Sequence, residues 1–373
     1  MSTQSPPITT EVEIVSVAEQ APIDRPDVPI PLRKISADEI LSVVGALLGS
    51  FCLVWVLFDY VLPFGGGLGF IVSWYFAFLA LYAGITGLSH PRPVVIDRVM
   101  GAVFIGMGLL VGFVLVTVVV YTTLQGRDVL PHWNFFTQPA SAGSLRGPYN
   151  KGGISNIIMG SLIQVSIAVG ISFPLGIGTA VFMTEVGGAF SRVVRTVVEA
   201  MTALPDLLAG LFVYAVLILK FHGHRNGFAV SVALAVTMTP IVARSAEVAL
   251  RVVPGGLREA GQALGASNWQ TVRRIVLPTA TPGLVTALIL SIARGIGESA
   301  PLLIVSGFTT FANYNPVDGQ PMNSLPLYIF ECLKSGEPRE IARGFAAAVV
   351  LLFIVFFLFA ITRFLARQKV TTR

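Results

Sequence analysis

Long apolar runs recur along almost the whole 373-residue chain, and they are the feature that most limits its possible folds. Several reach the roughly 18–20 residues that a helix needs to cross a bilayer. Only helices and closed barrels satisfy their backbone polar groups in hydrocarbon, and these runs are too long and too uniformly apolar for barrel strands. Charged residues make up only 12% of the chain, against roughly 25% in soluble proteins. The sequence therefore predicts an all-α polytopic membrane protein.

The apolar runs predict about eight transmembrane helices. Their expected ranges are 40–61, 68–88, 99–124, 156–184, 192–220, 226–246, 280–306 and 344–364. Leu204 and Pro205 interrupt the fifth, and an even number of spans leaves both chain ends on one side. Residues 1–39 are proline-rich and without periodicity, so we expect a disordered tail there, with a second short tail over 367–373.

The basic residues indicate the orientation of the spans. With the N-terminus inside, about twice as many Lys and Arg flank the spans on the cytoplasmic side as on the outer side. We therefore expect both ends in the cytoplasm, and the net charge of +5 reflects topology rather than nucleic-acid binding. Cys52 and Cys332 form no motif, and the four histidines have no clustered partners, so neither a disulfide nor a metal site is predicted.

Two loops on the expected outer side are long, at residues 125–155 and 307–343. The second contains SLPLYIFECLK, residues 324–334, in which Leu327 and Phe330 contribute to a partly apolar face. This stretch is either a helix that lies along the membrane interface or a plain loop.

A polar segment, EAGQALGASNWQTVRRIVLP (residues 259–278), separates the sixth and seventh spans. Helical spacing places four small or apolar residues on one face: Leu257, Ala260, Gly261 and Leu264. Gly265 suits a left-handed stop, and Ser267 to Gln270 has the form of a capping box that starts a second helix. Pro278 is expected to end that second helix. The segment is therefore predicted to be a cytoplasmic helix–turn–helix elbow, which either rests on the membrane or docks a partner.

The elbow resembles the EAA loop of ABC importer permeases. The matching positions follow the family spacing, with Gly261 in place of the second alanine: Glu259, Ala260, Gly261, Gly265, Ile275, Leu277 and Pro278. In that family the segment is the coupling helix, which sits in a groove of the ATP-binding subunit, so the likeness implies ATPase coupling for these residues and for Leu264.

The resemblance extends over about residues 99–366. It implies a type I ABC importer permease core made of the last six spans, with the type-1 transmembrane domain at about 154–366 and the coupling loop at 251–278. Residues 40–98 are then an extra N-terminal transmembrane hairpin.

Two further stretches, RGIGESAPLLIVSG (residues 294–307) and NPVDGQPMNSLPLYIFE (residues 315–331), are similar to the phosphate-specific subfamily of these permeases. This likeness implies a subunit that forms half of the phosphate pathway in the bacterial cytoplasmic membrane. The implied partners are membrane lipid, two copies of a cytoplasmic ABC ATPase, a second permease and an extracytoplasmic phosphate-binding protein. The alternative is an importer of molybdate, sulfate or phosphonate; a membrane-embedded enzyme or a stand-alone carrier is more remote.

No G-x-x-x-x-G-K-[ST] loop occurs in the sequence, so ATP is expected to be used by the partner subunit. The chain itself is expected to be a transport subunit rather than an enzyme, with no catalytic residues and no bound cofactor.

Arg294 and Glu298 stand four residues apart in the predicted seventh span, and are expected to lie on one helix face. A charge at the bilayer centre costs at least about 2.5–3.5 kcal/mol, and such residues usually face a bundle interior or a water-filled path. Arg294 is expected to bind a phosphate oxyanion while Glu298 positions or repels; the alternative is a purely structural ion pair. Pro205 and Asp206, at the break in the fifth span, either line the path or lie near a solvated interface.

Overall fold

The computed structural model describes residues 37–61 and 66–368. The predicted tail at 1–39 lies outside the described residues except for its last three, and the tail at 367–373 lies outside them except for its first two. Within the described ranges all regular structure is helical, with no strand. This confirms the all-α prediction.

The helices are, in chain order, α1 (Ala37–Val56), α2 (Gly67–Ser89), α3 (Arg92–Gly126), α4 (Asn134–Thr137), α5 (Ser155–Val181), α6 (Gly188–Ala203), α7 (Asp206–Val213), α8 (Gly227–Arg251), α9 (Gly255–Ala263), α10 (Asn268–Thr271), α11 (Leu277–Gly295), α12 (Ala300–Val305), α13 (Leu325–Lys334) and α14 (Pro338–Gln368). Helices α1, α5, α7 and α10 continue into π-helical turns at Leu57–Val61, Phe182–Val186, Tyr214–Lys220 and Val272–Val276.

Seven helices of the described part are long and apolar enough to cross a membrane, and a bent pair, α6 with α7, makes an eighth candidate. The fifth span was predicted as one interrupted run, and its two helices meet at an angle of 101°. The break falls at Leu204 and Pro205, as predicted, because Leu204 takes an extended conformation before the proline.

Helices α5 and α8 run in the same direction, which shows how α6 and α7 cross. Asn156 near the start of α5 and Phe228 near the start of α8 both bond to the loop at 307–324. Further along, Gly176 of α5 lies against Val242 of α8. Because the two helices are parallel, the chain between them must return to the starting end, so the bent pair makes a single crossing.

The seventh span lies earlier in the chain than the predicted range 280–306. It begins at Asn268, inside the elbow, and continues without a break to Gly295. The prediction that Pro278 ends the elbow's second helix is wrong, because the helix continues through this proline. The π-helical turn at Val272–Val276 ends two residues before Pro278 and widens the helix there, which accommodates the ring and the missing N–H of a proline. We call this continuous 28-residue helix, Asn268–Gly295, the rod.

Helix α13 decides between the two alternatives for residues 324–334. The stretch is helical, yet it does not lie along an exposed interface, because Leu325, Leu327 and Tyr328 are fully buried. Leu325 and Tyr328 form a core with residues of the loop at 127–154 and of α14, where Ala346 is also buried.

The N-terminal compact unit ends at Gly112, and the second unit begins at Phe113. The first unit contains α1, α2 and the first part of α3. Tyr75 of α2 closely approaches Gly106 of α3, and Arg98 of α3 forms a 2.6 Å ion pair with Glu39 of α1. The predicted two-helix hairpin at 40–98 therefore packs as a three-helix unit.

Candidate functional site

The elbow has the local structure that its sequence predicts. Helix α9 ends just before Gly265, whose φ of 84° lies in the left-handed region. Ser267 then caps α10, and both hydrogen bonds of the capping box with Gln270 are present. Two short helices therefore meet at a defined turn, because each end has its own signal in the chain.

Helix α9 turns an apolar surface outward. Leu257, Ala260 and Leu264 are exposed, Leu264 to 89% of its area, and Glu259 is exposed beside them. Trp269 at the start of α10 is also exposed. Large apolar side chains on a short polar helix are typical of an interaction surface. We call this set, Leu257, Glu259, Ala260, Leu264 and Trp269, the elbow face.

Gly261 points the other way and is buried. A Cβ atom placed there would lie 2.6 Å from Cδ1 of Ile275 and 3.3 Å from Oγ1 of Thr271. The substitution of glycine for the family's alanine therefore lets α9 approach the rod closely. The prediction that Gly261 shares one face with Leu257, Ala260 and Leu264 is therefore wrong.

Arg258 fastens α9 to the rest of the bundle, and the sequence analysis missed it. Its guanidinium bonds to both carboxylate oxygens of Glu185 at 2.9 and 3.2 Å, and to the carbonyl oxygens of Val253 and Leu250 at 2.7 and 3.0 Å. Glu185 follows α5, 73 positions earlier in the chain, so no local spacing indicates this pair. The elbow is thus fixed to the ends of both α5 and α8.

A second set of ion pairs holds α6 against α8. Glu247 is buried and accepts hydrogen bonds from Arg195 of α6 and from Arg251, at 2.8 and 2.7 Å. Arg244 pairs with Glu199 of α6 at 2.7 Å. Glu247 and Arg244 of α8 therefore position α6, the first helix of the bent pair.

The structure brings together three charged residues that the sequence placed in two different spans, the fifth and the seventh. Nη2 of Arg294 lies 3.8 Å from Oδ2 of Asp206, and Nε of Arg294 lies 3.4 Å from Oε1 of Glu298. Asp206 is the first residue of α7, and Pro205 before it shapes the break without entering the cluster. Glu298 lies in the turn after the rod rather than within a continuous helix, so its proximity to Arg294 arises from that turn. We call Asp206, Arg294 and Glu298 the charged cluster.

The charged cluster lies deep in the bundle and is still accessible. Arg294 is roughly 25 Å from Pro278 along the rod, and Asp206 is roughly 20 Å from the far end of its own helix. The side chain of Arg294 is 56% exposed. Behind it, a cavity of about 30 Å³ is lined by Asp206, Thr237 and other residues of α6 to α8. A water needs roughly 10–15 Å³ of such space, so this cavity admits a water or two and no tetrahedral oxyanion.

Within the cluster, the guanidinium of Arg294 is the group whose geometry suits an anion. A guanidinium offers parallel N–H groups that match two oxygens of a carboxylate or phosphate. In this structure, the two carboxylates face that edge of the guanidinium. The arrangement therefore combines a guanidinium that suits an anion with two carboxylates that would compete with the anion for that guanidinium.

Comparison with known proteins adds a family and named relatives. Residues 172–370 match the family described as "Binding-protein-dependent transport system inner membrane component". The chain is 42% identical over 216 residues to "Phosphate transport system permease protein PstA" of Mycobacterium leprae, covering 57% of this chain and 71% of that protein. It is 33% identical over 228 residues to the protein of the same name from Xylella fastidiosa, covering 60% and 78%.

A solved structure has a similar fold. The chain aligns with one from the crystal structure of a bacterial alginate ABC transporter in complex with alginate pentasaccharide-bound periplasmic protein. The TM-score is 0.54 at 17% identity, over 74% of this chain and 97% of that one.

Proposed function

Because the chain belongs to the family of binding-protein-dependent transport system inner membrane components, we propose that it is a permease subunit of an ATP-driven phosphate importer. The family implies an ATPase partner and a substrate-binding protein, and the protein is a multi-pass component of the inner membrane. The observation that supports phosphate most strongly is the identity of 42% to the Mycobacterium leprae phosphate permease, over a stretch 216 residues long.

The elbow is proposed to dock the ATPase. Its face is the exposed apolar surface on the side of the molecule where the basic residues concentrate, which the positive-inside rule assigns to the cytoplasm. Under this orientation both chain ends are cytoplasmic. One ATPase copy would dock on the elbow of this chain, and a second copy would dock on the elbow of a second permease chain. The two permease chains together would form the pathway.

The rod is proposed to transmit the force. It runs from the elbow to Arg294 as one 28-residue helix, a length of roughly 40 Å. A displacement of the elbow therefore moves Arg294 directly, without passing through a loop. Gly261 makes the elbow and the start of the rod move together, because it lets α9 pack against Ile275. Arg258 joins the same elbow to Glu185 at the end of α5.

The edge of the Arg294 guanidinium formed by Nη2 and Nε is proposed to contact phosphate within the pathway. An extracytoplasmic phosphate-binding protein would deliver the anion at the opposite end from the elbow. The chain contributes transport rather than catalysis, with ATP bound by the partner subunit and no cofactor on this chain.

Affinity purification of the whole protein in mild detergent, followed by reconstitution in liposomes, tests this proposal. We expect an ABC ATPase, a second permease and a phosphate-binding protein to co-purify, and ATP hydrolysis to rise when phosphate and the binding protein are added. Uptake of labelled phosphate that is inhibited more strongly by molybdate, sulfate or phosphonate than by unlabelled phosphate would contradict it. Phosphate transport by the purified single chain would also contradict it.

A further inference from the structure

We propose that Asp206 is a carboxylate latch: it occupies the anion-binding edge of Arg294 in the resting state, and movement of the rod must withdraw Arg294 from it before phosphate binds. This proposal rests on the proposed function, because it assigns a regulatory part to the site of phosphate contact.

The first step is the geometry at the guanidinium. Asp206 and Glu298 approach Nη2 and Nε, the same two nitrogens with which Arg258 binds Glu185 and Arg195 binds Glu247. Those two reference pairs have contacts of 2.8–3.2 Å. The distances of 3.4 and 3.8 Å to Arg294 exceed the 2.7–3.2 Å of a formed N–H···O bond. The edge is therefore occupied loosely, and a ligand with two well-placed oxygens can replace the carboxylates.

The second step is charge. With both carboxylates ionised, the cluster has a net charge of −1, which repels a phosphate anion at close range. Removing Asp206 leaves a neutral Arg294–Glu298 pair whose guanidinium still has free donors. Asp206 therefore decides whether the site repels or accepts an anion.

The third step is which carboxylate can separate from Arg294. Glu298 is only four residues further along the chain, so the short turn keeps it near Arg294, although it contacts Asp206 as well. Asp206 belongs to α7, which packs tightly on α12: a Cβ atom on the buried Gly210 would lie 2.6 Å from Cα of Pro301. Helices α7 and α12 therefore form one block, while Arg294 is at the end of the rod. The Asp206–Arg294 contact joins the block to the rod across α7 and α11, so it is the contact that rod movement breaks.

The test measures ATP hydrolysis by the full reconstituted complex without the binding protein. Asp206→Asn keeps the size of the side chain and removes its charge. We expect Asp206→Asn to raise this basal rate of ATP hydrolysis roughly two- to fivefold. Loss of one partly exposed ion pair can shift the balance between the resting and the active conformation by about that factor.

Two further variants separate the latch from a general weakening of the bundle. Glu199→Gln is the matched control, because it removes an exposed ion pair from α6 close to Asp206 and should leave the basal rate unchanged. Arg294→Gln should raise the basal rate as Asp206→Asn does, and the double variant should be no higher than either alone, since both remove the same contact.

An unchanged basal rate in Asp206→Asn, or an additive rise in the double variant, overturns the latch. An equal rise in Glu199→Gln overturns it as well. Failure of the proposed function itself looks different: the wild-type complex would then show no stimulation of ATP hydrolysis by phosphate and the binding protein.

Discussion

Replacing Gly261 by alanine tests whether the close packing of the elbow on the rod matters. The new Cβ atom would lie 2.6 Å from Cδ1 of Ile275, about 1 Å inside an ordinary carbon–carbon contact. Overpacking of this kind costs about 1–3 kcal/mol, while the gain in helix propensity from glycine to alanine is about 1 kcal/mol. Because Cδ1 is the end of a flexible side chain that can turn aside, the expected net loss in elbow stability lies in the lower part of the resulting range of about 0–2 kcal/mol. Phosphate uptake at matched protein amounts should fall modestly.

The double variant Gly261→Ala, Ile275→Val makes this prediction specific. Valine lacks the Cδ1 atom that the new methyl group meets, and the next contacts, to Oγ1 and Cγ2 of Thr271, are at 3.3 and 3.5 Å. Ile275→Val alone should cost about 0.5–1.5 kcal/mol. We therefore expect uptake and ATPase co-purification in the double variant to exceed those of Gly261→Ala. Uptake in Gly261→Ala at or above the wild-type level, or a double variant worse than both single ones, would refute the packing argument.

Three further predictions concern other parts of the elbow and core. Arg258→Met leaves the Glu185 carboxylate without its partner, so it should release the ATPase during purification, and Arg258→Met with Glu185→Gln should recover part of the loss because no unpaired charge remains. Gly265→Ala forces a side chain into the left-handed region at φ 84° and should lower elbow stability by about 1–2 kcal/mol, measured as a lower thermal midpoint of ATPase association; an unchanged midpoint would contradict it. Burial raises the pKa of the Cys332 thiol to about 12, so the group stays protonated at neutral pH, and a maleimide should label it only after unfolding; rapid labelling of the folded protein would contradict this.

Local signals in the sequence predicted the elbow well. The left-handed Gly265 and the Ser267–Gln270 capping box depend on residues within one turn of each other, and both appear in the structure. The spans could be predicted for the same reason, because apolar length is a property of each run by itself. The helix end predicted at Pro278 is wrong because the preceding π-helical turn, which lets the helix pass through the proline, has no clear sequence pattern.

The charged cluster could be predicted only in part. Spacing alone joined Arg294 to Glu298, whereas the approach of Asp206 depends on how α7 packs against α12. Its signal was indirect: an acidic residue directly after a break in a span. Arg258 and Glu185 gave no signal at all, because long-range ion pairs leave no periodicity in either segment.

In the proposed function, this chain moves phosphate through a pathway in which Arg294 contacts the anion. Uptake of labelled phosphate by proteoliposomes that contain the full complex, with Arg294→Gln beside the wild type at equal protein amounts, tests it most directly. We expect ATP-dependent uptake by the wild type, and loss of uptake in Arg294→Gln while the ATPase still co-purifies. Normal uptake in Arg294→Gln, or no phosphate uptake by the intact wild-type complex, would contradict it.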